Sequence, residues 1–160
     1  MSDTKEEGVV VIVDDEEMVL TSIASFLTLE TAYEVVTFTR AALALQHIVD
    51  HDVDLVISDF LMPEMDGLQF LAKVREIKPL IPRIILTGYA DKENAIKAIN
   101  EVGLYQYIEK PWDNHDLRII IRNGVEKKRL LAGLHQKIDE IDSAYADLES
   151  IQKDILKAFV

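Results

Sequence analysis

Short apolar runs rich in β-branched residues alternate along this chain with segments of helical spacing, and this alternation constrains the fold most strongly. The run GVVVIV at residues 8–13 is typical of a strand buried on both faces. The sequence predicts strands at residues 8–13, 33–38, 53–58, 83–87 and 105–108, with helices at 18–27, 41–49, 68–77, 92–101 and from Asn114 onward. Such alternation predicts an α/β fold, a parallel sheet with helices on both faces.

Length and composition limit the classes of function that are open to the chain. Its 160 residues, 49% of them hydrophobic, suffice for one domain with a core but not for a second full domain. The net charge of −12 argues against direct binding to nucleic acid or to a membrane surface. No cysteine is present, which excludes disulfides and cysteine zinc sites. Residues 1–8 do not resemble a secretory signal and no apolar run reaches about 20 residues, so we expect a cytoplasmic protein.

Five polar residues follow or end the predicted strands. Asp14 and Asp15 come after the first strand, Asp59 after the third, Thr87 at the end of the fourth and Lys110 after the fifth. Ligands of such sheets bind outside the carboxyl ends of the strands. Each residue alone has an ordinary explanation, as a helix cap, a turn residue or a surface charge. Their joint occurrence at one edge of the sheet favours a functional site.

The chemistry of these side chains explains why they would occur together. Clustered carboxylates repel one another and need a cation, and a hard ion such as Mg²⁺ prefers oxygen ligands. A central Asp59 could attack phosphorus and form an aspartyl phosphate. The ammonium of Lys110 and the hydroxyl of Thr87 could then bind phosphoryl oxygens.

The four histidines do not fit this set, because His47, His51, His115 and His135 all fall on predicted helices. His47 and His51 have the spacing of a metal-ligand pair, but a solvated helix face explains them better.

Four motifs in order resemble the receiver domain of bacterial two-component response regulators over residues 9–125. They are VIVDDEE, LVISDFLMPEMDG around Asp59, IILTGYA and YIEKPW. The resemblance implies a flavodoxin-like, doubly wound sheet of five parallel strands in the order 2-1-3-4-5. The predicted division of the chain is a disordered tail at residues 1–7, a receiver domain at 8–125 and a helical, coiled-coil extension at 126–160.

The resemblance assigns a metal site and a phosphoacceptor. Asp59 would accept the phosphoryl group from a sensor histidine kinase or a phosphotransfer protein. Asp14, Asp15, Asp59 and the backbone carbonyl of Leu61 would hold Mg²⁺ or Mn²⁺. The chain would then be a switch that phosphorylates and slowly dephosphorylates itself, not an enzyme.

The resemblance also assigns the switch. Thr87 and Lys110 would bind the phosphoryl group and Tyr107 would be the aromatic that turns inward. The Lys110–Pro111 bond is usually cis in relatives. The surface of helix 4, strand 5 and helix 5 would carry the output.

Two residues that vary in the family predict the lifetime of the phosphorylated state. Leu61 lies two positions after Asp59, and Tyr89 lies two after Thr87. Leu61 offers no polar group to orient an attacking water, and the side chains of Leu61 and Tyr89 could shield the site. We therefore expect slow self-dephosphorylation.

Beyond residue 114 the chain shows no strand or turn signal, and Gly124 and Gly133 are the only weak points for a helix. Apolar residues in steps of three and four predict a coiled-coil seam. A parallel homodimer is favoured over a helix that folds back on its own domain, because the stripe is narrow. The seam comprises Leu131, Leu134, Ile138, Ile141, Tyr145, Leu148, Gln152, Ile155 and Phe159.

The sequence ends inside a helical pattern, so we expect an output domain to follow. The tail IQKDILKAFV is similar to the lead-in to an HD-type cyclic-dinucleotide phosphodiesterase. A diguanylate cyclase or a kinase module could equally follow such a helix, and no winged-helix domain is present in these residues.

Three other interpretations compete with the switch. A structural dimerisation module that no longer signals would not need the five polar residues. A phosphatase of the haloacid dehalogenase type needs a second Asp where this chain has Leu61. A flavin protein needs a phosphate loop of Ser and Thr where this chain has acidic residues. The sequence does not identify the kinase, the pathway or the output.

Overall fold

The computed structural model describes residues 6–101 and 103–159. Strands and helices alternate along the chain, with one short 3-10 helix before the fourth α-helix. The elements are β1 Glu7–Val13, α1 Glu17–Glu30, β2 Ala32–Phe38, α2 Ala41–Asp50, β3 Leu55–Asp59, α3 Gly67–Ile77, β4 Arg83–Thr87, the 3-10 helix Tyr89–Asp91, α4 Lys92–Glu101, β5 Gln106–Glu109 and α5 Asn114–Ala158.

The strands form one parallel sheet in the order β2-β1-β3-β4-β5, which confirms the predicted fold class. Val13 of β1 lies opposite Ser58 of β3, and Asp59 lies opposite Leu86 of β4. The carboxyl ends of β1, β3 and β4 therefore meet at one edge of the sheet, where the predicted polar residues lie.

The sheet is buried on both faces, which explains the continuous apolar run in β1. Val11 and Val13 belong to one buried cluster, together with residues of α2, α3 and α4. Val10 and Ile12 belong to a second cluster, together with residues of α1 and α5. Successive side chains of a strand point to opposite faces, so each strand residue enters one of two cores.

The structure corrects some details of the predicted elements. Met18 does not belong to the buried face of α1, since its side chain is 84% exposed while Leu20, Ile23 and Leu27 are buried. It lies two residues before Leu20, about 200° around the helix. Strand β3 begins two residues later than predicted and β5 is shifted by one residue. His51 lies one residue past α2.

The described part of the predicted N-terminal tail consists of Glu6 and Glu7. Glu7 begins β1, one residue earlier than predicted. The carboxylate of Glu6 accepts hydrogen bonds from Arg118 Nε at 2.8 Å and from Arg118 Nη2 at 2.9 Å. Residues 1–5 lie outside the described residues, and the disordered tail stays a prediction.

Contacts between residues divide the chain into a first unit that ends at Lys128 and a second that begins at Arg129. In the first unit, α5 buries Leu117, Ile121, Gly124 and Val125. In the second, every described residue is exposed except the half-buried Ala132. The boundary predicted at residue 125 stays a prediction.

Within the described residues, no helix combines the length and the apolar character that a membrane span requires. The cytoplasmic location stays a prediction.

Candidate functional site

Three carboxylates converge where the strands end. Asp14 and Asp15 follow β1, and Asp59 is the last residue of β3. One oxygen from each lies within 4.8 Å of the other two. Asp14 and Asp59 are buried, whereas Asp15 is exposed to solvent. Among the described residues, this is the only group of three acidic, histidine or cysteine side chains close enough to share a metal ion.

Lys110 supplies a positive charge to this cluster. Its ammonium donates to Asp59 Oδ1 at 3.0 Å and to Asp14 Oδ2 at 3.1 Å. One ammonium against three carboxylates leaves an excess of negative charge. The donors are all oxygens and one of them faces solvent, so the set fits a hard divalent cation that keeps several waters.

Burial and hydrogen bonding together shift the pKa values of Asp59 and Lys110. Burial raises the pKa of Asp59, and the hydrogen bond from Lys110 does not cancel this effect. Burial lowers the pKa of Lys110, but its hydrogen bonds to Asp59 and Asp14 outweigh it, so the pKa of Lys110 rises. Lys110 therefore remains an ammonium at neutral pH. The Asp59 carboxylate is therefore more basic than an ordinary aspartate.

Backbone groups hold two of the carboxylates in place. Asp14 Oδ1 accepts the N–H of Glu16 at 2.9 Å, and Asp59 Oδ1 accepts the N–H of Phe60 at 3.0 Å. Glu16 is the N-cap residue of α1 and its own side chain makes no capping bond. Asp14 thus supports the start of the helix with one oxygen and binds Lys110 with the other, so the capping and the site interpretations both apply.

The loop after Asp59 depends on residues that the sequence analysis did not single out. Asp66 caps α3 by accepting the N–H of Gln69 at 2.8 Å, and Gln69 Oε1 accepts the N–H of Asp66 at 3.2 Å. A Cβ at Gly67 would lie 2.0 Å from the backbone oxygen of Asp59. Only glycine therefore allows α3 to start against the backbone of Asp59. The capping box Asp-x-x-Gln was visible in the sequence as a signal.

Thr87 and Tyr107 lie on neighbouring strands. Thr87 is fully buried at the end of β4, and its hydroxyl donates to the carbonyl of Gly88 at 3.2 Å. Tyr107 of β5 pairs with Ile85 and packs, half-buried, against the cluster that α2, α3 and α4 share. The Lys110–Pro111 bond is cis, as the resemblance implies.

The two residues predicted to shield the site are open to solvent. Leu61 is 60% exposed in the loop after β3, and Tyr89 is 84% exposed in the 3-10 helix. Their shielding role stays a prediction.

The histidine pair at the end of α2 does not belong to the acidic cluster. The rings of His47 and His51 stack with their centroids 4.0 Å apart, and neither belongs to the group that could share a metal ion.

The comparison with known families agrees with this geometry. The model of the response regulator receiver domain family matches residues 10–122, which include Asp14, Asp59, Thr87 and Lys110. The chain belongs to this family. Receiver domains are signalling switches and not classical enzymes.

Several known proteins are similar to this chain over most of its length. The chain is 36% identical over 136 residues to the hydrogenase transcriptional regulatory protein HoxA of Cupriavidus necator, an alignment that covers 85% of this chain and 27% of that protein. A response regulator receiver domain protein from Clostridium thermocellum superposes with a TM-score of 0.73 at 34% identity, covering 78% of this chain and 98% of that one. The signal receiver domain of an HD domain-containing protein from Pseudomonas fluorescens Pf-5 gives a TM-score of 0.74 at 32% identity, covering 83% of this chain and 97% of that one. The chain thus spans about a quarter of the length of the HoxA relative.

Proposed function

We propose that the receiver accepts a phosphoryl group on Asp59 from a phosphohistidine of a sensor histidine kinase or a phosphotransfer protein. The position of the Lys110 ammonium supports this proposal most directly. The ammonium lies 3.0 Å from Asp59 Oδ1 and 3.1 Å from Asp14 Oδ2, inside the acidic cluster. A half-buried lysine that bridges two carboxylates is placed to bind a third anion when the phosphoryl group arrives.

In the proposed transfer, a carboxylate oxygen of Asp59 forms a bond to phosphorus while the bond from phosphorus to the histidine nitrogen breaks. The released imidazole keeps the electron pair and takes up a proton. The raised pKa of Asp59 favours attack, since a more basic carboxylate is the stronger nucleophile. Lys110 and the hydroxyl of Thr87 would bind the phosphoryl oxygens.

The proposed metal ligands are Asp14, Asp15, Asp59 and the backbone carbonyl of Leu61. Mg²⁺ or Mn²⁺ bound there would neutralise the charge of the transferring group. The three carboxylates lie close enough to share one ion, which supports this assignment.

The proposed relay begins at Thr87, which would move toward the phosphoryl group, and continues to Tyr107, which would turn inward behind it. Tyr107 is half-buried beside β4, so it can change its packing without disrupting the core. Lys92 of α4 and Glu109 of β5 form an ion pair at 3.2 Å, which joins two elements of the proposed output surface. The conformational change would pass through the surface of α4, β5 and the first part of α5 to the helical extension that follows, and from there to an output domain.

The C-terminal helix is proposed to pair with a second copy of the chain. Its predicted seam residues are exposed in the single chain, Leu134 and Ile141 by more than half. Phe159, the last of them, lies one residue past α5.

Labelling with acetyl phosphate and Mg²⁺ tests the proposed function. We expect a phosphoryl group on Asp59 that is labile to base and to hydroxylamine, as an acyl phosphate is, and that is located by mass spectrometry after borohydride reduction. Asp59→Asn should abolish labelling, and the matched change Asp52→Asn, outside the site, should leave it intact. Labelling that survives Asp59→Asn would disprove the assignment. Absence of labelling in the unmodified chain, with acetyl phosphate and with a panel of kinases, would leave only the structural dimerisation module.

The decay of the labelled protein tests the proposed slow self-dephosphorylation. Leu61→Asn supplies a polar group beside the phosphoryl group, so we expect the decay rate to rise by about tenfold, a modest fraction of the effect of a positioned catalytic group. Leu61→Met changes the side chain without adding a hydrogen-bonding amide and serves as the control. Equal decay rates for all three proteins would refute the role of Leu61.

A further inference from the structure

The second unit presents one apolar stripe to solvent and carries charges beside it. Counting heptads with Leu131 as position a puts the seam residues at positions a and d. Position g holds Leu130, Lys137, Ala144 and Ile151, and position e holds His135, Asp142, Glu149 and Leu156. These two positions flank the seam on either side, and their pairing sets the orientation of a coiled coil.

A parallel arrangement of two copies pairs these positions favourably. In it, each residue at g faces the residue at e in the next heptad of the other helix. Lys137 then meets Asp142 of the second copy, and by symmetry this ion pair forms twice. Ile151 meets Leu156 of the second copy, which extends the apolar contact sideways at the C-terminal end of the helix.

An antiparallel arrangement loses these contacts. There, position e faces e and position g faces g across the seam. In the antiparallel register that aligns Ile138 with Leu148, Asp142 would meet its own copy, so like charges are placed together, and Glu149 would meet His135. Lys137 would face Ile151 and find no acidic partner. The flanking residues therefore disfavour this orientation.

The polar residue in the seam favours one register. With the helices in register, Gln152 faces its own copy, and the two amides can hydrogen-bond to each other. A shift by one heptad places Gln152 against Tyr145 and removes the contact between Ile151 and Leu156. A single polar residue at position a is known to fix register in this way.

Lys137 makes only a weak ion pair within the single chain. Its ammonium lies 3.4 Å from Glu140 Oε2, and both side chains are largely exposed. Exposed pairs of this spacing contribute little, so Lys137 can pair with a second copy instead.

We infer that two extensions pair in parallel and in register, with Lys137 and Asp142 specifying the orientation and Gln152 the register. This inference rests on the proposed self-association of the C-terminal helix. The occupant of the apolar stripe is therefore a second copy of this chain, and the amino-terminal ends of the two extensions lie together.

Thiol cross-linking of the full 160-residue chain tests the orientation. The chain has no cysteine, so each thiol is an introduced one. Ile138→Cys, which leaves Gln152 in place, should form a covalent dimer under mild oxidation, since facing a positions lie within the reach of a disulfide. Lys153→Cys, at the outer position b, should not. An equimolar mixture of Ile138→Cys and Leu148→Cys should give no mixed dimer, because that product requires antiparallel helices.

The possible outcomes separate the two proposals. A monomer at all concentrations in sedimentation equilibrium would overturn the self-association and the inference together. A dimer that cross-links residue 138 to 148, or that leaves Ile138→Cys unlinked, would overturn the inference while the self-association stands.

Charge exchange tests the role of Lys137 and Asp142. Lys137→Glu alone and Asp142→Lys alone each create like-charge pairs, and we expect the dimer dissociation constant to rise about tenfold in either case. Mixing the two variants should restore pairing, because in the mixed dimer both contacts between positions 137 and 142 again join opposite charges. Lys153→Glu makes the same charge change on the outer face and should have little effect. Weakening by Lys153→Glu equal to that by Lys137→Glu would show a general charge effect and overturn the assignment.

Discussion

Helix α5 contains two parts that differ in what stabilises them. Up to Lys128, the helix buries Leu117, Ile121 and Val125 in the core that α1 shares. From Arg129 onward, equally apolar residues such as Ile138 remain exposed. Isolated helices are marginal in water, and most of their stability in proteins comes from the packing of an apolar face. Similar helical sequence thus takes its stability from the fold in the first part, whereas the described residues of the second part are almost all exposed in the single chain.

The ion pairs of the two parts differ in the same way. Lys128 lies 3.1 Å from Asp54, and the other oxygen of Asp54 accepts the N–H of Val9 at 2.8 Å. This network is largely covered and joins α5 to β1. The pair of Lys137 and Glu140 is exposed and joins nothing beyond its own helix. A charged residue thus contributes to the fold only where other groups surround it.

Truncating one isoleucine in each part should separate the two sources of stability most strongly. Ile121 is fully buried, so Ile121→Ala should lower the free energy of unfolding by about 3 kcal/mol. Ile138→Ala should change the unfolding of the receiver by less than about 0.5 kcal/mol, as is usual for exposed sites. Urea denaturation followed by the fluorescence of Trp112, the only tryptophan, measures both.

The same two variants should have the opposite order in self-association. Ile138→Ala removes a seam side chain and should weaken the dimer by about tenfold or more, whereas Ile121→Ala should not. Sedimentation equilibrium at a urea concentration where both remain folded decides this. A seam variant that destabilises the receiver as much as Ile121→Ala would contradict the division into two parts.

Much of the fold could be predicted because burial on both faces leaves a strong local signal. The apolar runs ending at Val13 and Ser58 gave the strands, and the polar residues that follow them gave the acidic cluster. Hydrophobic periodicity alone predicted Met18 on the buried face of α1. This prediction was wrong, because Met18 is apolar but its side chain lies on the exposed side of the helix.

The remaining features of the site depend on contacts between distant segments. Lys110 was predicted as a phosphoryl ligand, but its two hydrogen bonds to Asp14 and Asp59 arise only when β1, β3 and β5 are assembled. The need for Gly67 follows from its approach to the backbone of Asp59, which no local pattern reveals. Gly124 was taken as a weak point of the helix and is a close contact with the sheet.

Each of the two parts of α5 contains a glycine, so the same substitution of glycine by alanine can be compared between them. A Cβ at Gly124 would lie 2.6 Å from Leu55 Cδ1, whereas nothing lies within 4 Å of one at Gly133. Leu55 is fully buried and has little room to move, so Gly124→Ala should destabilise the receiver by about 1–2 kcal/mol even after the gain in helix propensity.

Gly133→Ala should act in the opposite direction. It removes the flexibility of glycine from an exposed helix and should stabilise that helix by up to about 1 kcal/mol. Circular dichroism at 222 nm should show higher helicity at intermediate temperature, with the urea midpoint of the receiver unchanged. Destabilisation by both substitutions would mean that the second part of α5 packs as closely as the first.

The smallest expected effect compares a buried carboxylate with an exposed one. Burial raises the pKa of Asp59 in the folded state, so its ionisation opposes folding. Ionisation of Asp59 therefore lowers the stability of the fold as the pH rises through the raised pKa. Below the ordinary pKa of aspartate the carboxyl group is protonated in both the folded and the unfolded state, and this loss of stability does not occur. In EDTA, Asp59→Asn should therefore be more stable than the parent by about 1 kcal/mol at neutral pH, a typical single-site effect, and the difference should close in acid. Asp147→Asn makes the same change at an exposed position of α5 and serves as the control. Urea midpoints between pH 4 and pH 8 measure both, and a parent that gains stability over Asp59→Asn as the pH rises would show that the bond from Lys110 outweighs the burial of Asp59.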